Sequence, residues 1–115
     1  MPKDDDNGKE KGDNIVPLRK TPSAPEAAKI IKTLVTSGAI SWSYHCKERM
    51  KVRGVTMPQV INCLLKGRIT ENPFFSQENG GGYETRVEKG TAGEWLRVVV
   101  CLKLEQKLLV ITVIN

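Results

Sequence analysis

One histidine, His45, is the whole imidazole supply of this 115-residue chain. A ribonuclease mechanism that needs two histidines is therefore excluded within one copy. The three cysteines, Cys46, Cys63 and Cys101, are odd in number and follow no zinc-ligand spacing, so neither a closed disulfide framework nor a metal site is expected. Each lies in an apolar or amphipathic run, which predicts buried free thiols in a reducing compartment. No apolar run approaches the roughly 20 residues of a membrane-spanning helix. The N-terminal residues include no apolar signal core, so the expectation is a cytoplasmic protein with no membrane contact. Phosphate-binding P-loop, HExxH and nucleophile-elbow patterns are absent as well. No cofactor is expected.

What remains is a modest excess of positive charge, +5 overall. Residues 1–20 carry as many acidic as basic side chains, so the excess lies entirely in 21–115, with thirteen basic and eight acidic groups. Such a balance suits RNA or another acidic partner without requiring one. Residues 1–20 are rich in Lys, Asp, Gly and Asn and predict a disordered tail. Residues 21–115 are enough for a single domain with one core.

Capping signals divide the first half of that domain into helices. Ser23 and Glu26 have capping-box spacing, with Pro25 suited to the first turn. Ala27, Ile30, Ile31, Leu34 and Val35 form an apolar stripe that ends near Gly38. Ser43 is a candidate N-cap for a second helix, stopped by Gly54. Thr56 and Gln59 form another capping box and open a third helix, which runs to Gly67. The second half reads as strands: Ile69 to Phe75 broken at Pro73, Tyr83 to Glu88, Glu94 to Leu104, and Lys107 to Ile114. Alternation puts Leu96, Val98, Val100, Leu102 and Leu104 on one face. In the last strand it puts Leu109, Ile111 and Val113 on one face and Leu108, Val110, Thr112 and Ile114 on the other. Helices first and strands after predict an α+β domain, with N-terminal helices on one face of a mainly antiparallel, about four-stranded sheet.

The densest chemistry is in His45-Cys-Lys-Glu-Arg49-Met-Lys-Val-Arg53. At helical spacing His45, Arg49 and Arg53 share a face, and an imidazole beside guanidinium groups can hold a phosphate and move a proton. Lys47 and Lys51 lie between them, so a solvated basic helix gives the same pattern. Arg86 alternates with Glu84 and Glu88 on its strand. It is either one of several surface ion pairs or a phosphate ligand in a groove between sheet and helix. Tyr83 is a base-stacking candidate or an ordinary cross-strand aromatic. Thr112, in an apolar strand, needs a hydrogen-bond partner if buried. Arg97 lies among the residues of the mixed face of the longest strand.

His45-x-x-x-Arg49-Met50, then Arg53-Gly54-Val55-Thr56, then Lys66-Gly67-Arg68-Ile69 resembles a family of small prokaryotic domains of unknown function. The similarity continues through Tyr83, Arg86, Val98–Leu102 and Ile111-Thr112-Val113, and so covers about residues 40–115. That family is usually grouped with the RelE-like toxins of the barnase–EndoU–colicin–RelE fold. The resemblance implies a metal-independent endoribonuclease acting on RNA, including ribosome-bound mRNA, with an antitoxin protein as partner. It implies functional positions at His45, Arg49, Arg53, Tyr83, Arg86 and Thr112; catalytic roles are expected for His45, Arg49, Arg86 and Tyr83, and RNA-binding roles for Arg53 and Thr112 and for the neighbouring cations Lys47 and Arg97. A non-catalytic RNA- or protein-binding module of the same fold is the alternative.

Overall fold

The computed structural model describes residues 20–91 and 94–115, with Thr91 described for its backbone alone. The tail expected over 1–20 therefore lies, apart from Lys20, outside the described residues. Three α-helices are found among the described residues, α1 (Ala24–Ser37), α2 (Tyr44–Arg53) and α3 (Met57–Lys66), with a single 3-10 turn at Glu78–Gly80. Five strands accompany them: β1 (Ile40–Trp42), β2 (Arg68–Ser76), β3 (Gly82–Thr91), β4 (Glu94–Lys103) and β5 (Leu108–Ile114).

Each helix starts where a side chain takes up a free backbone amide. Ser23 Oγ accepts from the Glu26 amide at 3.2 Å, and Glu26 Oε1 accepts from the Ser23 amide at 2.8 Å. Thr56 and Gln59 repeat the arrangement at α3. Such a box satisfies two donors that the helix itself leaves unpaired. Between α2 and α3 the chain reverses at Gly54, whose φ of +68° is the left-handed conformation that glycine adopts without strain.

The sheet order is β1-β5-β4-β3-β2. All neighbours are antiparallel except β1, which runs parallel to β5 through Ile40↔Leu108 to Trp42↔Val110. The sheet is thus five-stranded and mixed, rather than about four-stranded. At three residues, β1 is too short to display alternation, so periodicity could not reveal it. Pro73 does not break β2. That strand is an edge, where a missing N–H is tolerated, and its ladder slips at Ile69/Glu71 and again at Glu71/Phe74.

The core lies between the helices and one sheet face. Ala27, Ile31 and Leu34 of α1, Cys46 and Met50 of α2, and Val60, Cys63 and Leu64 of α3 pack with Val87, Val98, Val100, Leu102, Leu108, Val110 and Val113. Each fully buried Leu or Val contributes about 1.5–3 kcal/mol through the apolar area removed from water. Gly67 lets the end of α3 pass against β3: a Cβ there would stand 2.6 Å from the Glu88 carbonyl oxygen.

β5 departs from simple alternation. Thr112 pairs with Val99 and Val110 pairs with Val100, which leaves Ile111 as an extra residue. This bulge shifts the phase by one residue. Leu108, Val110 and Val113 consequently share the buried face, while Leu109 and Thr112 share the other. The expected grouping of Thr112 with Leu108 and Val110 is corrected by that bulge.

Candidate functional site

Ser43 fixes the start of α2 on the sheet. Its amide donates to the Val110 carbonyl at 3.0 Å. Its hydroxyl accepts from the Cys46 amide at 2.9 Å and donates to the Ile111 carbonyl at 2.7 Å. The bulge takes Ile111 out of the β4 ladder, and the serine hydroxyl supplies the partner that its carbonyl needs. α2 is thereby held against β5, with His45 two residues beyond the clamp and Thr112 one residue beyond the bulge.

From there a row crosses the sheet face that lies away from the core. Thr112 is opposite Val99, Val99 is opposite Arg86, and Arg86 is opposite Glu71. Two strand spacings separate Arg86 from Thr112, about 10 Å between Cα atoms. Arg86 differs in parity from the core residue Val87, so it does not enter the expected groove between sheet and helices. It stands, together with Thr112, on the face that no described helix covers.

His45 and Lys47 are exposed and Arg49 is half-buried. Arg49 Nε is buried without a hydrogen-bond partner, as is Arg86 Nε. Arg86 Nε stands 3.1 Å from Glu71 Oε1 but out of line for a hydrogen bond, and both side chains are about two-fifths exposed. An ion pair that open to solvent contributes little.

His45, Lys47 and Arg49 on α2 and Arg86 and Thr112 on the opposite sheet face thus form two separate sets, and three further expected residues are engaged elsewhere. Tyr83 belongs to the core: it is 6% exposed, pairs with Leu102, and meets Phe75 edge-on at 5.6 Å between ring centroids. Being three residues from Arg86 on one strand, it must point the opposite way. Arg97 lies on Arg86's face but is committed, with Nε 2.7 Å from Glu88 Oε2. Thr70 donates to the same oxygen at 2.6 Å. That hydrogen bond first, and Arg97 after it, hold the Glu88 carboxyl below its ordinary pKa. Arg53, eight residues past His45, lies about 12 Å further along the helix and is rotated some 80°. It lines a separate cleft of ≈ 460 Å³ with Gln59, Asn62, Lys89 and Trp95.

Sequence reasoning anticipated Ser43 as a cap but not its second bond, which spans 68 residues. Lys89 and Trp95 were missed as cleft residues. The signal, an exposed aromatic among cations, exists only once the β3–β4 hairpin meets α3.

The three cysteines are buried and free. Burial pushes the Cys46 and Cys63 thiols up to about 11, and raises that of Cys101 too. All three are neutral at pH 7 and poor nucleophiles. Among the described residues, no three His, Cys, Asp or Glu side chains are grouped to hold a metal ion. No helix among them is long and apolar enough to cross a membrane.

A family model described as a domain of unknown function (DUF4258) matches residues 42–115. The match leaves out α1, although α1 contributes Ala27, Ile31 and Leu34 to the common core. No curated protein and no solved structure matches the chain.

Proposed function

The chain belongs to the DUF4258 domain family through residues 42–115, and from that premise we propose that it binds RNA and cleaves it as a RelE-like, metal-independent endoribonuclease. One observation carries the reading. Arg49 holds a buried guanidinium Nε with no hydrogen-bond acceptor, and a buried donor left so costs about 1–3 kcal/mol; Arg86 Nε also lacks a hydrogen bond but already faces the Glu71 carboxylate at 3.1 Å. A phosphate oxygen is the acceptor that guanidinium geometry fits. His45, carried on the same helix as Arg49, is the group able to move a proton near neutral pH.

In the proposed reaction a ribose 2′-oxygen forms a bond to the adjacent phosphorus and the bond from phosphorus to the 5′-oxygen breaks. His45 takes the 2′-hydroxyl proton or gives a proton to the departing 5′-oxygen, and water makes the other transfer. A positioned acid or base of this kind contributes about 10²–10⁴-fold. Arg49, on the helix of His45, stabilises negative charge on the phosphorane oxygens, while Arg86, on the sheet face away from the helices, holds a more distant phosphate of the same strand. Lys47, on α2, and Thr112, on the sheet face of Arg86, serve as RNA contacts. An antitoxin that silenced the domain would cover the α2 face.

The second reading is a non-catalytic RNA-binding module. It is favoured by the commitment of Arg97 to Glu88 and of Tyr83 to the core, which leave one acid–base group with little assistance. One comparison separates the two. Purified chain and His45→Ala are incubated with total RNA and with translating ribosomes, with binding measured in parallel. Cleavage lost while binding persists supports the enzyme. Binding by both proteins with no cleavage by either supports the module. Absence of binding by the unsubstituted chain refutes both.

A further inference from the structure

At the far end of α2, away from His45, two clefts meet at Trp95. The first has Arg53 and Lys89 among its walls, the second Lys66, Arg68 and Lys89, and Trp95 lines both. Lys66 and Arg68 flank the close passage of Gly67 over β3, so the end of α3 presents its cations beside the β3–β4 hairpin. None of the four cations forms an ion pair among the described residues. Two acids border the clefts. Glu88 is already held by Thr70 and Arg97, which leaves Glu94.

Trp95 is 51% exposed. It stands opposite Gly90 in the ladder, and a Cβ at Gly90 would lie 3.6 Å from its Cε3. The indole thus lies over Gly90 at van der Waals distance, a cross-strand aromatic–glycine pair. Half-exposure leaves ring surface open to solvent. A flat aromatic held on one side, with cations in the clefts beside it, is the arrangement that takes a base on the ring and its phosphates on the flanks.

We infer that Trp95, with Arg53, Lys89, Lys66 and Arg68, forms a platform for single-stranded RNA, separate from the His45 group and sequence-tolerant. The inference rests on the RNA reading above for its class of ligand, but needs no cleavage. Stacking on one ring does not distinguish bases, because every base has a π-face. The phosphate contacts predict salt dependence: four neutralised phosphates give a slope of log K against log salt of roughly −3 for a single strand.

The test uses the full chain with Trp42→Phe, which leaves Trp95 as the only tryptophan, and a 2′-O-methyl oligonucleotide of eight or so uridines, which cannot be cleaved. Saturable quenching of Trp95 fluorescence is expected. Trp95→Ala in the unsubstituted background, followed by anisotropy of a labelled oligonucleotide, should weaken binding by about ten-fold or more. Trp95→Phe, which keeps a ring over Gly90, should retain most of it. Arg68→Ala and Lys89→Ala should each make the salt slope shallower by about 0.7. These two variants leave the indole in place and serve if Trp95→Ala fails to fold. Unchanged binding by Trp95→Ala and unchanged slopes overturn the platform, even where His45-dependent cleavage stands. Displacement of the oligonucleotide by polyglutamate at equal charge concentration also overturns it, because the patch would then select charge alone. No oligonucleotide binding by any form of the chain overturns this inference and the RNA reading together.

Discussion

Replacing Ser43 by alanine removes one oxygen that serves two elements at once. The hydroxyl caps α2 by accepting from the Cys46 amide, and it satisfies the carbonyl that the β5 bulge exposes at Ile111. Loss of an N-cap costs about 1 kcal/mol. A part-buried carbonyl left without its donor adds about 1–3 kcal/mol. The expected sum is about 2–4 kcal/mol, which lowers a urea midpoint by about 1–2 M at an m value near 2 kcal/mol/M. Ser23→Ala is the control: it removes a cap of the same chemistry on α1, where the hydroxyl serves only its own helix, and should cost about 1 kcal/mol. Ser43→Asp keeps an acceptor for the Cys46 amide and has no donor for Ile111, so it should fall between unsubstituted protein and Ser43→Ala. The measurement is equilibrium urea unfolding of all four proteins followed by far-ultraviolet circular dichroism. If Ser43→Ala costs no more than Ser23→Ala, the clamp on the bulge contributes nothing and the placement argument for His45 loses its anchor.

Two further outcomes follow from the sheet. The Glu88 carboxyl is held below its ordinary pKa of 4.5 by Thr70 and then by Arg97. Its folded-state value is thus lower than its unfolded one, so its contribution is full above about pH 4.5 and is lost as pH falls through the depressed value. Glu88→Gln should therefore lower stability at pH 7 by about 1–3 kcal/mol and flatten the acid limb of a stability–pH curve; an unchanged acid limb would refute the assignment. Tyr83→Phe should leave RNA binding and cleavage unaltered, because the ring fills the core beside Leu102 and Phe75. Tyr83→Ala should destabilise by about 3–5 kcal/mol. Loss of cleavage in a stable Tyr83→Phe protein would instead give its hydroxyl a part in the reaction.

The candidate site was legible in unequal measure. Arg49 was found by helical spacing from His45, and four residues of helix keep that relation within about 40°. The same spacing doubled carries Arg53 to another cleft, a drift that arithmetic along the helix already contains. Parity alone separates Tyr83 from Arg86, so their assignment to opposite faces was available in the sequence. Thr112 was singled out, but its face was not legible, since a bulge leaves no mark in an apolar run of β-branched residues. Nor were the partners of Arg86 and Arg97: Glu71 and Glu88 meet them across strands, and only register decides which charges face each other.

By itself the sequence determined the helices, their ends and the long strands. Those depend on caps, glycines and periodicity, which act over a few residues. It also determined that one imidazole and a basic helix are the chemistry on offer. Tertiary structure alone decided that β1 lies parallel to β5, that α2 is tied to the bulge through Ser43, and that Trp95 borders two clefts whose linings include four cations. Each of those rests on groups brought together from distant segments. Their energies come from hydrogen bonds, burial and charge proximity that no local pattern encodes.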